Sequence, residues 1–257
     1  IGLVRYPTCG EDELESAQPF EREHGRITRW FAFAFNGQLT NFPDLRKELL
    51  DRGDYHLKRN VDTEILMHAI SQEMAKQGEV EAIDWRQVFE TLSTRLDGSY
   101  NIVLISATGE LVVVRDPLGF RPLCIVEEGS LFAAASESLP LANLGFQTDR
   151  ISSLEPGHLV VAGPQGVRIE QFSRNAKRAH CFFEWIYFAN VASTLDKRSV
   201  YLTRVELGRE LARQELASPD KLSLDENTIV VPVPDTAKAV ADAMAHELDL
   251  PTFEGLM

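Results

Sequence analysis

Strand-like and helix-like stretches fall in separate blocks along this 257-residue chain, an order that argues against a parallel α/β sheet over most of its length. The apolar run from Trp30 to Phe35 is strand-like and meets Asn36-Gly37, a dipeptide suited to a tight turn. Helical spacing follows. Leu45, Leu49 and Leu50 lie between Pro43, suited to a first helical turn, and the stop at Gly53. Ile65, Leu66, Ala69, Ile70 and Met74 repeat with a helical period from Asp62 to Met74, and Trp85 to Leu96 does the same. Short β-rich runs come next, at Tyr100–Ser106, Leu111–Val114, Leu123–Val126 and Leu131–Ala135, parted by Gly, Asp and Pro. They predict an antiparallel meander, with further strands near Leu159–Ala162 and Val167–Phe172. Blocks in this order predict an α+β fold with helices packed on antiparallel sheets.

The pattern changes near the end. Val200–Leu216 reads as a helix, Thr228–Val233 as a buried strand and Thr236–Leu248 as a helix, so one βα unit opens a second, parallel domain. Ile1 in place of Met, the strand-like Ile1–Tyr6 and the unmarked stop at Glu254–Met257 read as a fragment cut at both ends. No stretch approaches the roughly 20 apolar residues of a membrane helix. With 26 basic and 39 acidic residues the net charge is −13, which repels a polyanion, so neither membrane nor nucleic acid is expected as a partner. Cys9, Cys124 and Cys181 form no ligand spacing, so neither a disulfide scaffold nor a zinc site is expected and a cytoplasmic location is.

Three short segments carry side chains suited to chemistry. Arg5, in Gly2-Leu3-Val4-Arg5-Tyr6-Pro7-Thr8, offers a planar fork matched to a carboxylate, and equally suits a structural ion pair. In Asn36-Gly37-Gln38-Leu39-Thr40-Asn41, a side-chain amide and a glycine N–H can converge on one oxygen, as a tetrahedral oxyanion requires; the bland reading is a turn. Asp62, in Val61-Asp62-Thr63-Glu64, stands where a helix begins and taken alone reads as its N-cap.

These segments, in this order and followed by Arg115-Asp116-Pro117-Leu118-Gly119-Phe120-Arg121-Pro122-Leu123, resemble the successive motifs of class II glutamine amidotransferases. Ala135-Ser136-Glu137-Ser138, Leu154-Glu155-Pro156-Gly157, Phe183-Glu184-Trp185-Ile186-Tyr187-Phe188-Ala189 and Val231-Pro232-Val233-Pro234-Asp235 make the chain most similar to the amidophosphoribosyltransferase family. The resemblance implies a four-layer αββα sandwich of the N-terminal-nucleophile-hydrolase type over residues 1–195, lacking its N-terminal part, and the incomplete start of a phosphoribosyltransferase domain over 196–257.

It implies glutamine hydrolysis by an N-terminal cysteine whose own α-amino group is the base, a residue expected upstream of this chain, so that the fragment alone is inactive. Ammonia then converts phosphoribosyl pyrophosphate to 5-phosphoribosylamine, the entry to purine synthesis. By match of motif, Arg5 binds the glutamine α-carboxylate, Asp62 its α-ammonium, Asn36 and Gly37 form the oxyanion hole, and Thr8 lines the glutamine loop. Asp235, Thr236 and Lys238 are candidates for the diphosphate at a helix N-terminus, or form an ordinary strand-helix turn. Mg2+ is expected on that diphosphate, and purine nucleotides as inhibitors of a homo-oligomer. Cys181 stands where some members place an iron-sulfur ligand, but a buried thiol is the commoner fate and no cluster is assigned.

The sequence departs from the family at Leu3 and Phe35, where His is frequent, at Pro7, where Ser is frequent, and at Asn190-Val191-Ala192, where Arg-Pro-Asp is common. Another class II glutamine amidotransferase, or a noncatalytic glutamine-binding homologue, is the alternative reading.

Overall fold

A computed structural model describes residues 1–4, 16–53, 56–78, 80–219 and 223–256, which fold as two compact units. The first unit takes Ile1–Leu123 and Leu154–His180. Its sheet is built from β1 (Phe20–Arg22), β2 (Phe31–Leu39), β3 (Gly98–Ser106), β4 (Leu111–Arg115), β8 (His158–Gly163) and β9 (Gly166–Gln171), in the spatial order β1-β2-β3-β4-β8-β9 and antiparallel throughout. Between β2 and β3 lie three helices: α1 (Phe42–Asp51), α2 (Asp62–Lys76) and α3 (Trp85–Leu92).

Alternation explains which face is covered. Phe31, Phe33, Phe35 and Leu39 on β2 share a core with Tyr100, Ile102 and Leu104 on β3, with Val112 and Val114 on β4, and with apolar residues of all three helices. Residues 61–70, where α2 begins, are all buried, which is why the apolar positions there do not resolve into one narrow stripe. Asp84 caps α3, its Oδ1 accepting the Gln87 N–H at 3.0 Å.

Three expectations are corrected. β2 does not end at Asn36-Gly37 but runs on to Leu39, paired residue for residue with β3. Gly37 is needed for close approach rather than for a turn: a Cβ there would lie 2.0 Å from the Ser99 carbonyl oxygen. The run from Tyr100 to Ala135 is not one meander, because the chain leaves the six-stranded sheet after Arg115. Ile1–Val4 form no strand; the rest of that stretch lies outside the described residues.

The second unit takes Cys124–Ser153 and Cys181–Met257. Its antiparallel sheet, in the order β6-β5-β7, joins β5 (Cys124–Glu128), β6 (Leu131–Ala135) and β7 (Ser152–Ser153). Helix α4 (Ser138–Asn143) follows β6, and a π-helical turn, Glu184–Phe188, precedes the short pair β10 (Thr194–Leu195) and β11 (Arg198–Ser199). The long α5 (Val200–Ala217) packs on α6 (Lys238–Leu248) at Gly208, where a Cβ would meet the Val240 carbonyl oxygen at 2.2 Å.

Arg204 of α5 is almost fully buried and donates to the carbonyls of Trp185 and Ala189 at 2.8 and 2.9 Å. Burial lowers its pKa, and the charge of Glu137 opposes that shift. The expected buried strand at Thr228–Val233 is an extended segment with one parallel bridge, Val230 to Thr252, and Val231 and Val233 are exposed. A strand is buried only between neighbours, and one bridge does not supply them.

Candidate glutamine site

Asn36 and Gly37 sit two-thirds of the way along β2, opposite Asn101 and Tyr100 of β3. Alternation puts Asn36 on the face away from the helices, together with Asn101 and, on β4, Arg115, which stands opposite Asn101. The end of the same motif clamps the turn that leads into β3. Thr40 donates to the Asp97 carbonyl from its N–H at 2.8 Å and its hydroxyl at 3.1 Å, and Asn41 donates to the Arg95 carbonyl at 2.8 Å and accepts the Asp97 N–H at 3.1 Å. Two further residues of the segment thus act on the backbone.

Helix α2 brings Asp62 to this strand. Val61, not Asp62, is the N-cap; Asp62 is the first helical residue, is 5% exposed, and accepts the Leu39 N–H at 3.2 Å. The carboxylate is therefore held two residues along β2 from Gly37, roughly 7 Å of strand. The next two residues bind other segments. Thr63 accepts from the Gln18 side chain at 3.3 Å, and Glu64 receives the Lys58 and Arg59 N–H groups at 2.9 and 2.7 Å. Gln18 also accepts the Phe35 N–H at 2.5 Å. A polar residue immediately before Pro19, where proline enforces extended backbone, was the available signal for Gln18. Arg5 and Thr8 lie outside the described residues.

The Arg115–Leu123 segment shapes a buried loop. Arg115, wholly buried, donates to the carbonyls of Arg121, Leu154 and Gly119 at 3.0, 2.6 and 3.1 Å. Asp116, also wholly buried, accepts the Leu118 N–H at 2.8 Å and the Phe120 N–H at 3.3 Å. Burial raises the Asp116 pKa, while those backbone donors and Arg115 oppose the rise. Asn101 donates to the Pro122 carbonyl at 2.7 Å, joining this loop to the polar row that includes Asn36.

Asp235, Thr236 and Lys238 meet at the start of α6, in the second unit. The Lys238 ammonium is 3.3 Å from Asp235 and 3.1 Å from Glu254, and these two carboxylates, Glu254 first, raise its pKa. Among the described residues no group of three or more His, Cys, Asp or Glu is placed to hold a metal ion, and Cys181 is a half-buried free thiol. No helix of the described chain is long and apolar enough to cross a membrane.

The glutamine amidotransferase domain family matches residues 8–143. Over its whole length the chain is 34% identical to the amidophosphoribosyltransferase of Methanothermobacter thermautotrophicus and 32% identical to that of Escherichia coli, covering 50% and 51% of those proteins. The chain thus spans about half the length of the curated relatives it matches. Its structure superposes on glutamine phosphoribosylpyrophosphate amidotransferase from B. subtilis, solved with ADP and GMP, with a TM-score of 0.79 at 28% identity, over 98% of this chain and 50% of that one. That likeness bears out the α+β fold of the N-terminal-nucleophile-hydrolase type read from the sequence. On the family match over residues 8–143, the chain belongs to the glutamine amidotransferase domain family.

Proposed function

We propose that this chain forms the glutamine pocket of an enzyme that hydrolyses glutamine and delivers the ammonia to phosphoribosyl pyrophosphate, making 5-phosphoribosylamine at the first step of purine biosynthesis. The observation that carries the reading is the placement of a buried carboxylate, that of Asp62 at the start of α2, against the strand that bears Asn36 and Gly37, at Leu39, two residues beyond the latter. A zwitterionic amino acid needs an anion for its ammonium at one end and oxyanion donors at its side-chain amide at the other.

In this reading Asp62 binds the α-ammonium, Arg5 the α-carboxylate, and Thr8 lines the pocket. The Asn36 amide and the Gly37 N–H donate to the oxygen that becomes negative when a cysteine thiolate attacks the amide carbon. Collapse of that intermediate releases ammonia and leaves a thioester, which water converts to glutamate. Cys124 is buried in the sheet of the second unit and is not the nucleophile in this reading.

The functional division we propose falls between residues 195 and 196, with 196–257 opening the phosphoribosyltransferase part. There Asp235, Thr236 and Lys238 would hold the diphosphate, with Lys238 exchanging its carboxylate partners for phosphate oxygens. When bound, Mg2+ would neutralise charge on that diphosphate. Asp235 and Glu254 at this turn are engaged by Lys238, and the described residues hold no group of three His, Cys, Asp or Glu that would cage the ion, so in this reading the metal would ride on the substrate. We extend to the complete protein a cytoplasmic location, purine nucleotide inhibition and assembly as a homo-oligomer.

The test is to express the complete protein and follow glutamate release from glutamine with and without phosphoribosyl pyrophosphate. Release that rises with the sugar diphosphate is expected. Glutamine binding without any release would instead make the pocket a noncatalytic sensor.

A further inference from the structure

The geometry points to Gln18 as a positioning residue that sets the spacing between Asn36 and Asp62, and this inference rests on the glutaminase reading above. Strand β1 pairs with β2 only from Phe20 opposite Phe33 to Arg22 opposite Phe31. Gln18 stands two residues before the first pair of that register. There the bond to the Phe35 N–H is made by the Gln18 side-chain oxygen, at 2.5 Å, and the amide nitrogen of the same side chain donates to Thr63 at 3.3 Å.

A primary amide accepts at its oxygen and donates from its nitrogen at once, and so can bridge the two segments. Phe35 directly precedes Asn36, and Thr63 directly follows Asp62. Strand β2 is thus tied to the first turn of α2 at two points, through Gln18 at Phe35 and through Asp62 at Leu39. Asn36 and Gly37 lie between the ties. Strand β2 is held along its length by β3, so without the first tie the start of α2 is left fixed to it at Leu39 alone, and the carboxylate that receives the ammonium shifts relative to the oxyanion donors. Gln18 touches neither reacting atom; it acts through Phe35 and Thr63.

The two ends of the pocket are uncoupled by comparing glutamine with 4-carbamoylbutanoate, which keeps the amide and the carboxylate of glutamine but has no ammonium. Ammonia release from both is measured with the complete protein and with Gln18→Met, which keeps the side-chain length and removes both hydrogen bonds. The preference for glutamine, as the ratio of kcat/KM values, should fall about tenfold in Gln18→Met, because a displacement of even about 1 Å costs up to about a hundredfold. Thr63→Val keeps the volume and the Phe35 bond and should lower the same ratio by about threefold, as expected for one neutral hydrogen bond; it decides the matter if Gln18→Met does not fold. A general structural role would depress both substrates equally, and an unchanged ratio in the folded variants overturns the inference. Absence of ammonia release from the unsubstituted protein overturns the glutaminase reading itself, and this inference with it.

Discussion

Replacing Gly37 by alanine tests the strand geometry and the oxyanion assignment together. The added Cβ would lie 2.0 Å from the Ser99 carbonyl oxygen, 2.7 Å from the Phe35 ring and 2.8 Å from the Ser99 carbonyl carbon. Ordinary contact begins at 3.4 Å, so the Ser99 oxygen must retreat by 3.4 minus 2.0, or 1.4 Å. That atom is backbone in the strand paired with β2, so no side-chain rotation relieves the clash. Overpacking of this kind costs about 1–3 kcal/mol, and prising apart one or two ladder bonds adds about 1 kcal/mol each. A total of about 2–5 kcal/mol lowers the melting temperature of a protein this size by roughly 4–20 °C. If Gly37 also donates its N–H to the oxyanion, the same displacement reduces kcat for glutamine by about a hundredfold. Thermal unfolding and steady-state ammonia release by the complete protein give the two readouts. A melting temperature within 2 °C of the unsubstituted protein would refute the packing argument (a loss of under about 1 kcal/mol). A clear thermal loss with unchanged kcat would leave the packing intact and remove Gly37 from the oxyanion hole.

Asp62→Asn keeps an acceptor for the Leu39 N–H and removes the charge, so kcat/KM for glutamine should fall by about 10- to 100-fold while 4-carbamoylbutanoate is little affected; equal loss on both substrates would count against an ammonium role. Arg115→Met strips three carbonyls of their donor, two of those bonds buried and one half-buried, and at about 1 kcal/mol or more each the loss should be about 3 kcal/mol or more in urea unfolding. Asp116→Asn tests a pH dependence. Burial raises the folded-state pKa of Asp116, so the folded protein binds the extra proton and this carboxyl's contribution to stability declines as pH rises from its unfolded value near 3.8 through the raised one. The asparagine variant should therefore gain on the unsubstituted protein as pH rises above about 4, and unfolding midpoints that stay parallel as pH rises would refute the assignment.

The helices and most strands were legible because each has a clean period: α1 and α2 begin within one residue of the positions read from leucine and isoleucine spacing. The Asn36-Gly37 turn was misread because the dipeptide preference reflects positive φ, whereas here glycine answers a steric demand from Ser99, sixty-two residues away in sequence. Local patterns carry no record of such a neighbour. Asp62 was found through motif resemblance, but its bond to the Leu39 N–H was not, since the cap reading uses only the helix's own backbone. Gln18 had even less to mark it. Its two partners come from different elements, β2 and α2, and nothing in the sequence around Gln18 records either of them.

The start of α2 has a kinetic meaning as well as a geometric one. Asp62 shields the Leu39 N–H, Glu64 shields those of Lys58 and Arg59, and through Gln18 the Phe35 N–H is linked to Thr63. These amides lie on a strand and a loop, yet their protection from solvent hydrogen exchange depends on one helical turn staying docked. The end of β2, the 58–59 loop and the first turn of α2 are therefore expected to open as a single cooperative unit, so that the proposed pocket would be formed or lost as a whole rather than frayed residue by residue.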